Sequence, residues 1–333
     1  MPHHSPSLFL LLAASTAGSV HGSVAASAVV GSSTEVAALK DVVALSGNIY
    51  ARHPTDKYLR KLVRQATDGC VNVFVDAGAN IGVHTRFLFE PAAYPQSSFT
   101  KVFSDVFGAA PNHKSAMCSL GFEPNPKHID RHMALQSAYR HMGWRYSFFP
   151  YALGVNTSGE LVFYENGGAN GGAQNEYWGF GTTQRHNNQR EVRVPSVSFD
   201  TVLEQIGRRR LPRASRAGHT MHPRVLVKMD IEGSEFAVIP QVMMTGRLCQ
   251  VVDYLSVEWH PRPNPVRFYA KQQLNLPTYA EAATIVRVLK AAMADGGYAG
   301  GCLTNVVEVD DETYVHDGRP LPGFPEGNTV PAF

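Results

Sequence analysis

Residues 71–82, Val-Asn-Val-Phe-Val-Asp-Ala-Gly-Ala-Asn-Ile-Gly, constrain this 333-residue chain more than any other stretch. Val71, Val73, Phe74 and Val75 are β-branched or aromatic, which suits a strand. A run this short with no polar face reads as a central strand buried on both sides, the kind found in parallel sheets covered by helices. It ends in Asp76, then Gly78 and Gly82 in G-x-x-x-G spacing, and Val83–Phe89 can begin a helix. Strand, glycine turn and helix place backbone N–H groups and a positive dipole end at the strand's carboxyl edge. Open α/β sheets bind their ligands there. A tight βα turn without a ligand has the same local pattern, so the stretch needs support from elsewhere.

Hydrophobic residues at 44% and charged residues at 17% describe a globular chain with an ample core and exclude a disordered one. A formal net charge of +2 gives no reason to expect nucleic acid or an anionic membrane as partner. Ser7 to Ala14 is a short apolar core followed by small residues through Gly22. It is too short for a comfortable membrane span and resembles a secretory signal peptide, although its n-region holds His3 and His4 but no Lys or Arg. Residues 1–26 are therefore read as a targeting segment with cleavage near Gly22 or Ala26, an organelle address or an uncleaved anchor being the alternatives. No stable membrane span is expected in the mature chain, and the secretory lumen or the exterior is its expected location. Cys70, Cys118, Cys249 and Cys302 permit one or two disulfides whose pairing is left open, and no C-x-x-C spacing suggests zinc. Asn156-Thr157-Ser158 is a glycosylation sequon, which fits that location.

Residues 27–50 are a lead-in without clear periodicity, and one domain is expected over 51–333. Thr55 can cap a helix with Tyr58, Leu59, Leu62 and Val63 on one face. Insertions are expected at about 91–118, 166–190 and 207–222. Asp76 and Glu123 stand 47 positions apart, and the 28 residues of the first insertion account for all but 19 of them. That remainder is close to the roughly 20 residues between a nucleotide-binding glycine turn and the acid that holds a ribose hydroxyl. A helix over 127–142 and strands at Tyr146–Phe149, Leu161–Tyr164 and Val192–Val197 follow, with Ser198 capping a short helix that stops at Gly207. The second insertion is rich in Gly and Asn and carries Tyr177, Trp178 and Phe180, aromatics able to stack on a sugar. The basic run Arg208–Arg210 with Arg213 is read as a solvated loop, because no aromatic interleaving accompanies it.

The second chemical stretch is 225–236, a buried strand Val225–Met229 ending in Asp230, followed by Glu232 and by a helix that starts near Gly233 with Glu235 in its first turn. Three carboxylates at one strand end are unfavourable without a cation, a proton or a donor network nearby. Val251–Val257 reads as a further strand ending in Glu258-Trp259-His260. Thr278 and Glu281 form a capping box before a helix with Ile285, Val286, Leu289 and Met293 inward, closed by Gly296-Gly297. A late strand is expected within Asn305–Val309. Strand–helix alternation of this kind argues for a doubly wound α/β fold, with a mostly parallel sheet and helices on both faces.

Four segments together, Asp76–Gly82 with Thr85, Phe122-Glu123-Pro124, Ala152-Leu153-Gly154 and Lys228–Glu235, resemble the FkbM-family methyltransferases. The resemblance covers roughly residues 70–310 and implies a Rossmann-like sheet of the class I methyltransferase type, with S-adenosylmethionine as cofactor. It also implies that Asp76, Gly78, Asn80 and Gly82 shape the methionine side of the cofactor site. Glu123 would hold the ribose hydroxyls, Ala152 would border the adenine, and Asp230 would lie beside the methionine amino group or the methyl. Asp230 and Glu232 are taken as the catalytic residues, and the base that deprotonates the acceptor is left among Asp230, Glu232, Glu235, His84 and His260. No metal site is assigned. The expected activity is O-methylation of a small-molecule or glycan acceptor. A nicotinamide-dependent oxidoreductase is the enzyme alternative, disfavoured by Asn80 standing where G-x-G-x-x-G has glycine. A non-catalytic binding protein that keeps the fold is the third reading.

Overall fold

The computed structural model describes residues 54–108, 114, 116–157, 159–165, 180–182, 189–211, 223–261, 277–294, 302–309, 311, 313–314 and 317–322. The targeting segment, the lead-in, Tyr177, Trp178, residues 212–222 and Gly296-Gly297 lie outside these residues. The strands are β1 (Asn72–Ala77), β2 (Met117–Phe122), β3 (Arg145–Phe149), β4 (Ala152–Gly154), β5 (Gly159–Glu165), β6 (Arg190–Ser198), β7 (Val225–Met229), β8 (Tyr254–Val257) and β9 (Asn305–Val307). The helices are α1 (Asp56–Thr67), α2 (Val83–Phe89), α3 (Ser98–Phe107), α4 (Ile129–His141), α5 (Phe199–Gly207), α6 (Glu235–Met244), α7 (Arg247–Val251) and α8 (Tyr279–Ala294).

Six strands form one sheet in the order β3-β2-β1-β7-β8-β9, every pair parallel. The chain winds outward from β1 to β3, crosses back to β7 and winds outward the other way. The order reverses between β1 and β7, and that switch point opens a crevice beyond the strands' carboxyl ends. Phe74 and Leu226 face α2 and α3 in a cluster with Phe87, Phe99 and Phe103, while Val73, Val75 and Val227 on the opposite face are equally buried. On that opposite side α1 packs against β2 and β3, and α5 packs on α1. Burial on both faces explains why β1 and β7 read as continuous apolar runs.

Local signals explain the ends of several elements. Thr55 accepts from the Tyr58 N–H at the start of α1, and Ser198 accepts from the Thr201 N–H at the start of α5. The Thr278–Glu281 capping box is formed, with the Thr278 N–H donating to Glu281 Oε2 at 2.7 Å. Ile285, Val286 and Leu289 of α8 are only half-buried, however. The strand expected over Val251–Val257 begins at Tyr254, because Val251 still belongs to α7. Residues 91–107 carry a 3-10 turn, Pro91–Ala93, and the helix α3, and β2 is already under way at Met117.

A second, three-stranded sheet was not anticipated as a unit. In it β6 pairs with β4 in parallel and with β5 in antiparallel fashion. All four cysteines are paired, as Cys70–Cys118 and Cys249–Cys302. The first bridge fastens the entry of β1 to that of β2, and the second ties α7 to the lead into β9.

Candidate active site

The crevice at the switch point is a cleft of about 350 Å³, counted to its open mouth. Gly78, Glu123, Asp230 and Glu232 reach it from the ends of β1, β2 and β7, and Ala152 and Leu153 from β4. Phe163 and Phe180 close its far side, stacked with ring centroids 4.9 Å apart. Of the residues singled out from sequence, Gly78, Glu123, Ala152, Asp230 and Glu232 therefore meet in one space. Asp76, Asn80 and Gly82 stand behind it, shaping the turn from which Gly78 projects.

Close approach of two main chains governs that turn. A Cβ on Gly78 would lie 1.7 Å from the Asp230 carbonyl oxygen, so only glycine lets β1 and β7 end this close together. Asn80 and Glu232 are the two non-glycine residues with positive φ among the described residues, at 47° and 55°. They flank the switch point, one in each loop, and such conformations persist only where the surroundings enforce them. The Asn80 N–H donates to Glu123 Oε2 at 2.8 Å and the Asn125 N–H to Oε1 at 2.7 Å. A carboxylate has about four acceptor positions, so Glu123 keeps lone pairs for a ligand. Glu232 is held by its own carbonyl, which accepts both from the Thr182 N–H at 3.2 Å and from the Thr182 hydroxyl.

Charge is divided between the cleft and the layer behind it. Glu123, Asp230 and Glu232 line the cleft, and among the described residues no basic side chain joins them. Burial pushes the Glu123 carboxyl up to about 8, against the two N–H bonds it accepts. Burial likewise raises Asp76 to about 7, with Lys228 opposing, and neither Asp76 oxygen has a hydrogen-bond partner among the described residues. Burial opposes the charge of Asp230 as well, but Lys228 and His260 outweigh it and lower that carboxyl below its usual range. Lys228 Nζ donates to Asp230 Oδ2 at 2.8 Å from behind.

His260 is surrounded by acids. Its Nδ1 stands 3.2 Å from Glu235 Oε1, and its Nε2 stands 3.1 Å from Glu258 and 3.7 Å from Asp230. Burial disfavours its charge, yet the bonds to Glu235 and Glu258 carry it up to about 11. Asp230, Glu232 and His260 bring candidate ligand atoms within 4.8 Å of one another. His260 also pairs with Glu235 and Glu258, so a cation bound to the trio would compete with a proton for its ring.

A family model described as "Methyltransferase FkbM domain" matches residues 76–288. The chain belongs to the FkbM methyltransferase family. No curated protein and no solved structure matches it. The FkbM match begins at Asp76, the last charged residue of β1, and takes in every cleft residue named above. It leaves out α1, β9 and the segment 317–322.

Within this FkbM domain the geometry narrows the search for a base. Glu235 is fully buried and spends its oxygens on the Gly233 N–H, the His260 N–H and the His260 ring. His84 is buried among aromatic rings, and burial with nearby Lys228 lowers it to about 3. The acids around His260 raise it to about 11, which favours its charged form at neutral pH over a proton-accepting one. Asp230 and Glu232 remain, and Lys228 Nζ lies 2.8 Å from Asp230 Oδ2, which weakens Asp230 as a base. Sequence reasoning gave no role to Lys228, although it stands two residues before Asp230, nor to Phe163, whose alternation in β5 marks it only as core.

Proposed function

We propose that this methyltransferase depends on S-adenosylmethionine and transfers the methyl group to a hydroxyl of a glycan or small molecule. The observation that carries the reading is the cleft lining, which among the described residues has three acidic side chains and no basic one. Such a lining suits a cationic ligand, and it repels the paired phosphates of a nicotinamide dinucleotide. S-adenosylmethionine supplies, when bound, an electrophilic methyl group on a positively charged sulfonium.

The residues divide the work by position and charge. Glu123, fixed by two main-chain N–H groups, offers its remaining lone pairs to a ribose diol. Asp230 stays ionised under the influence of Lys228 and His260, and faces the ligand's positive charge. Gly78 leaves bare main chain beside it, and Ala152 leaves space further along the cleft. Glu232 takes the proton of the acceptor hydroxyl, since Asp230 is too weak a base once Lys228 holds it. Alignment of acceptor and donor supplies much of the rate, as in other displacements between bound partners. The stacked Phe163–Phe180 pair offers an apolar wall of the kind a sugar ring packs against.

Two disulfides, an exposed Asn156 in a sequon and the apolar N-terminal segment support a secretory location. Among the described residues no helix is long and apolar enough to cross a membrane. Transfer of labelled methyl from S-adenosylmethionine to a panel of glycans and small alcohols tests the activity. Labelled methyl ethers support it; binding of the donor without transfer to any hydroxyl favours a binding protein that keeps the fold.

A further inference from the structure

The glycine turn is gripped from outside the cleft by two neighbouring residues of α4. Arg131 Nε donates to the Ile81 carbonyl at 2.8 Å, and His132 Nε2 lies 2.7 Å from the Asn80 carbonyl. A carbonyl only accepts, so Nε2 carries the ring proton and Nδ1 accepts from the Tyr146 hydroxyl, 2.7 Å away. The ring is fully buried, stacks on Phe148 at 4.3 Å, and is held neutral because burial lowers it to about 3. Its fit against the turn is close: a Cβ on Gly82 would come within 3.0 Å of His132 Cε1. Arg131 is anchored in turn by Asp317, whose Oδ2 accepts from Nη2 at 2.8 Å. Asp317 also receives the Tyr94 hydroxyl at 2.9 Å and Arg86 Nη1 at 2.6 Å, and it lies beyond the family match that ends at 288.

We propose that Arg131 and His132 are positioning residues for the methyl-donor site, holding the carbonyls of Ile81 and Asn80 so that Asn80 keeps its left-handed conformation and delivers its N–H to Glu123. The inference rests on the reading of Glu123 as the ribose-binding acid. The chain of contacts is continuous: Asp317 to Arg131 to Ile81, and Tyr146 to His132 to Asn80 to Glu123. If either carbonyl is released, the Asn80 N–H is no longer constrained to meet Glu123 Oε2. The carboxylate then loses one of its two fixed orientations. The segment around Asp317 would thus tune donor affinity from outside the recognised domain.

The test measures S-adenosylhomocysteine binding to the purified full-length chain by calorimetry, with thermal melts on the same samples. His132→Leu removes the donor, and His132→Gln keeps an N–H near the position of Nε2. The expected result is a rise in Kd of about tenfold for His132→Leu, equivalent to about 1.4 kcal/mol, and recovery to within about threefold for His132→Gln. A purely structural role would lower both melting temperatures and leave the Kd of the folded protein unchanged. That outcome in a chain whose wild type binds overturns the clamp alone, while a wild type that does not bind overturns the clamp together with the donor reading. If His132→Leu fails to melt cooperatively, Arg131→Met carries the same test, with Arg131→Lys as its rescue. Unchanged affinity in Arg131→Met overturns the proposal equally.

Discussion

Replacing Gly78 by alanine separates two costs that a single glycine substitution usually mixes. Gly78 has φ +81°, and a Cβ there would sit 1.7 Å from the Asp230 carbonyl oxygen, far inside the 3.0 Å limit of real Cβ contacts. Gly143 has φ +72° with no atom within 4 Å of its Cβ position, so Gly143→Ala bears only the conformational cost. That cost is about 1–2 kcal/mol for an alanine forced into the left-handed region. Gly78→Ala adds separation of the β1 and β7 ends, which breaks the Asp230 N–H bond to the Ala77 carbonyl, now 2.9 Å. A buried main-chain group left unpaired costs about 1–3 kcal/mol. Urea unfolding followed by circular dichroism should therefore give about 2–5 kcal/mol for Gly78→Ala and about 1–2 for Gly143→Ala. Binding of S-adenosylhomocysteine should be lost only in Gly78→Ala. Equal costs for the two variants would refute the close approach of β1 and β7 on which the cleft depends.

Other consequences follow from the same site. Glu232→Gln should leave S-adenosylhomocysteine affinity unchanged and lower kcat with a hydroxyl acceptor by about 10²–10⁴-fold, the usual contribution of a general base; unchanged kcat would remove Glu232 from that role. Asp76 and Glu123 are raised to about 7 and about 8, and His260 to about 11, so each contributes stability at low pH that is lost as pH rises toward those values. The melting temperature of the ligand-free chain should accordingly fall between about pH 5 and about pH 9, and a steady rise over that range would contradict the assignment. The Cys70–Cys118 bridge closes a loop of 48 residues, so its replacement by serines should cost about 4 kcal/mol in urea unfolding. A cost near zero would mean that the bridge does not form.

Much of the fold is legible because it is written in local patterns. The apolar run at 71–75, its twin at 225–229 and the glycine spacing after Asp76 each follow from burial on two faces and one tight turn. The caps at Thr55, Ser198 and Thr278 are equally local, since each side chain bonds a backbone group within three residues. The strand boundary at Tyr254 was misplaced because Val251 and Val252 suit a strand as well as the end of a short helix. The candidate site was readable where an acid ends a strand, as at Asp76, Glu123 and Asp230. What stayed hidden depends on contacts between distant segments. Nothing in the helical pattern of 129–141 marks His132 as the partner of Asn80, 52 positions earlier. The protonation of His260 likewise depends on Glu235, 25 positions away, and on which acid each ring nitrogen meets.

The central claim is that the cleft between β1, β2 and β7 holds the methyl donor. Calorimetry of the full-length chain with S-adenosylhomocysteine and, separately, with NAD tests it most directly. The account predicts that S-adenosylhomocysteine binds in a ratio of about one per chain, that Glu123→Ala weakens it by about 1–3 kcal/mol, and that NAD gives no binding heat. Binding of NAD without S-adenosylhomocysteine would contradict it.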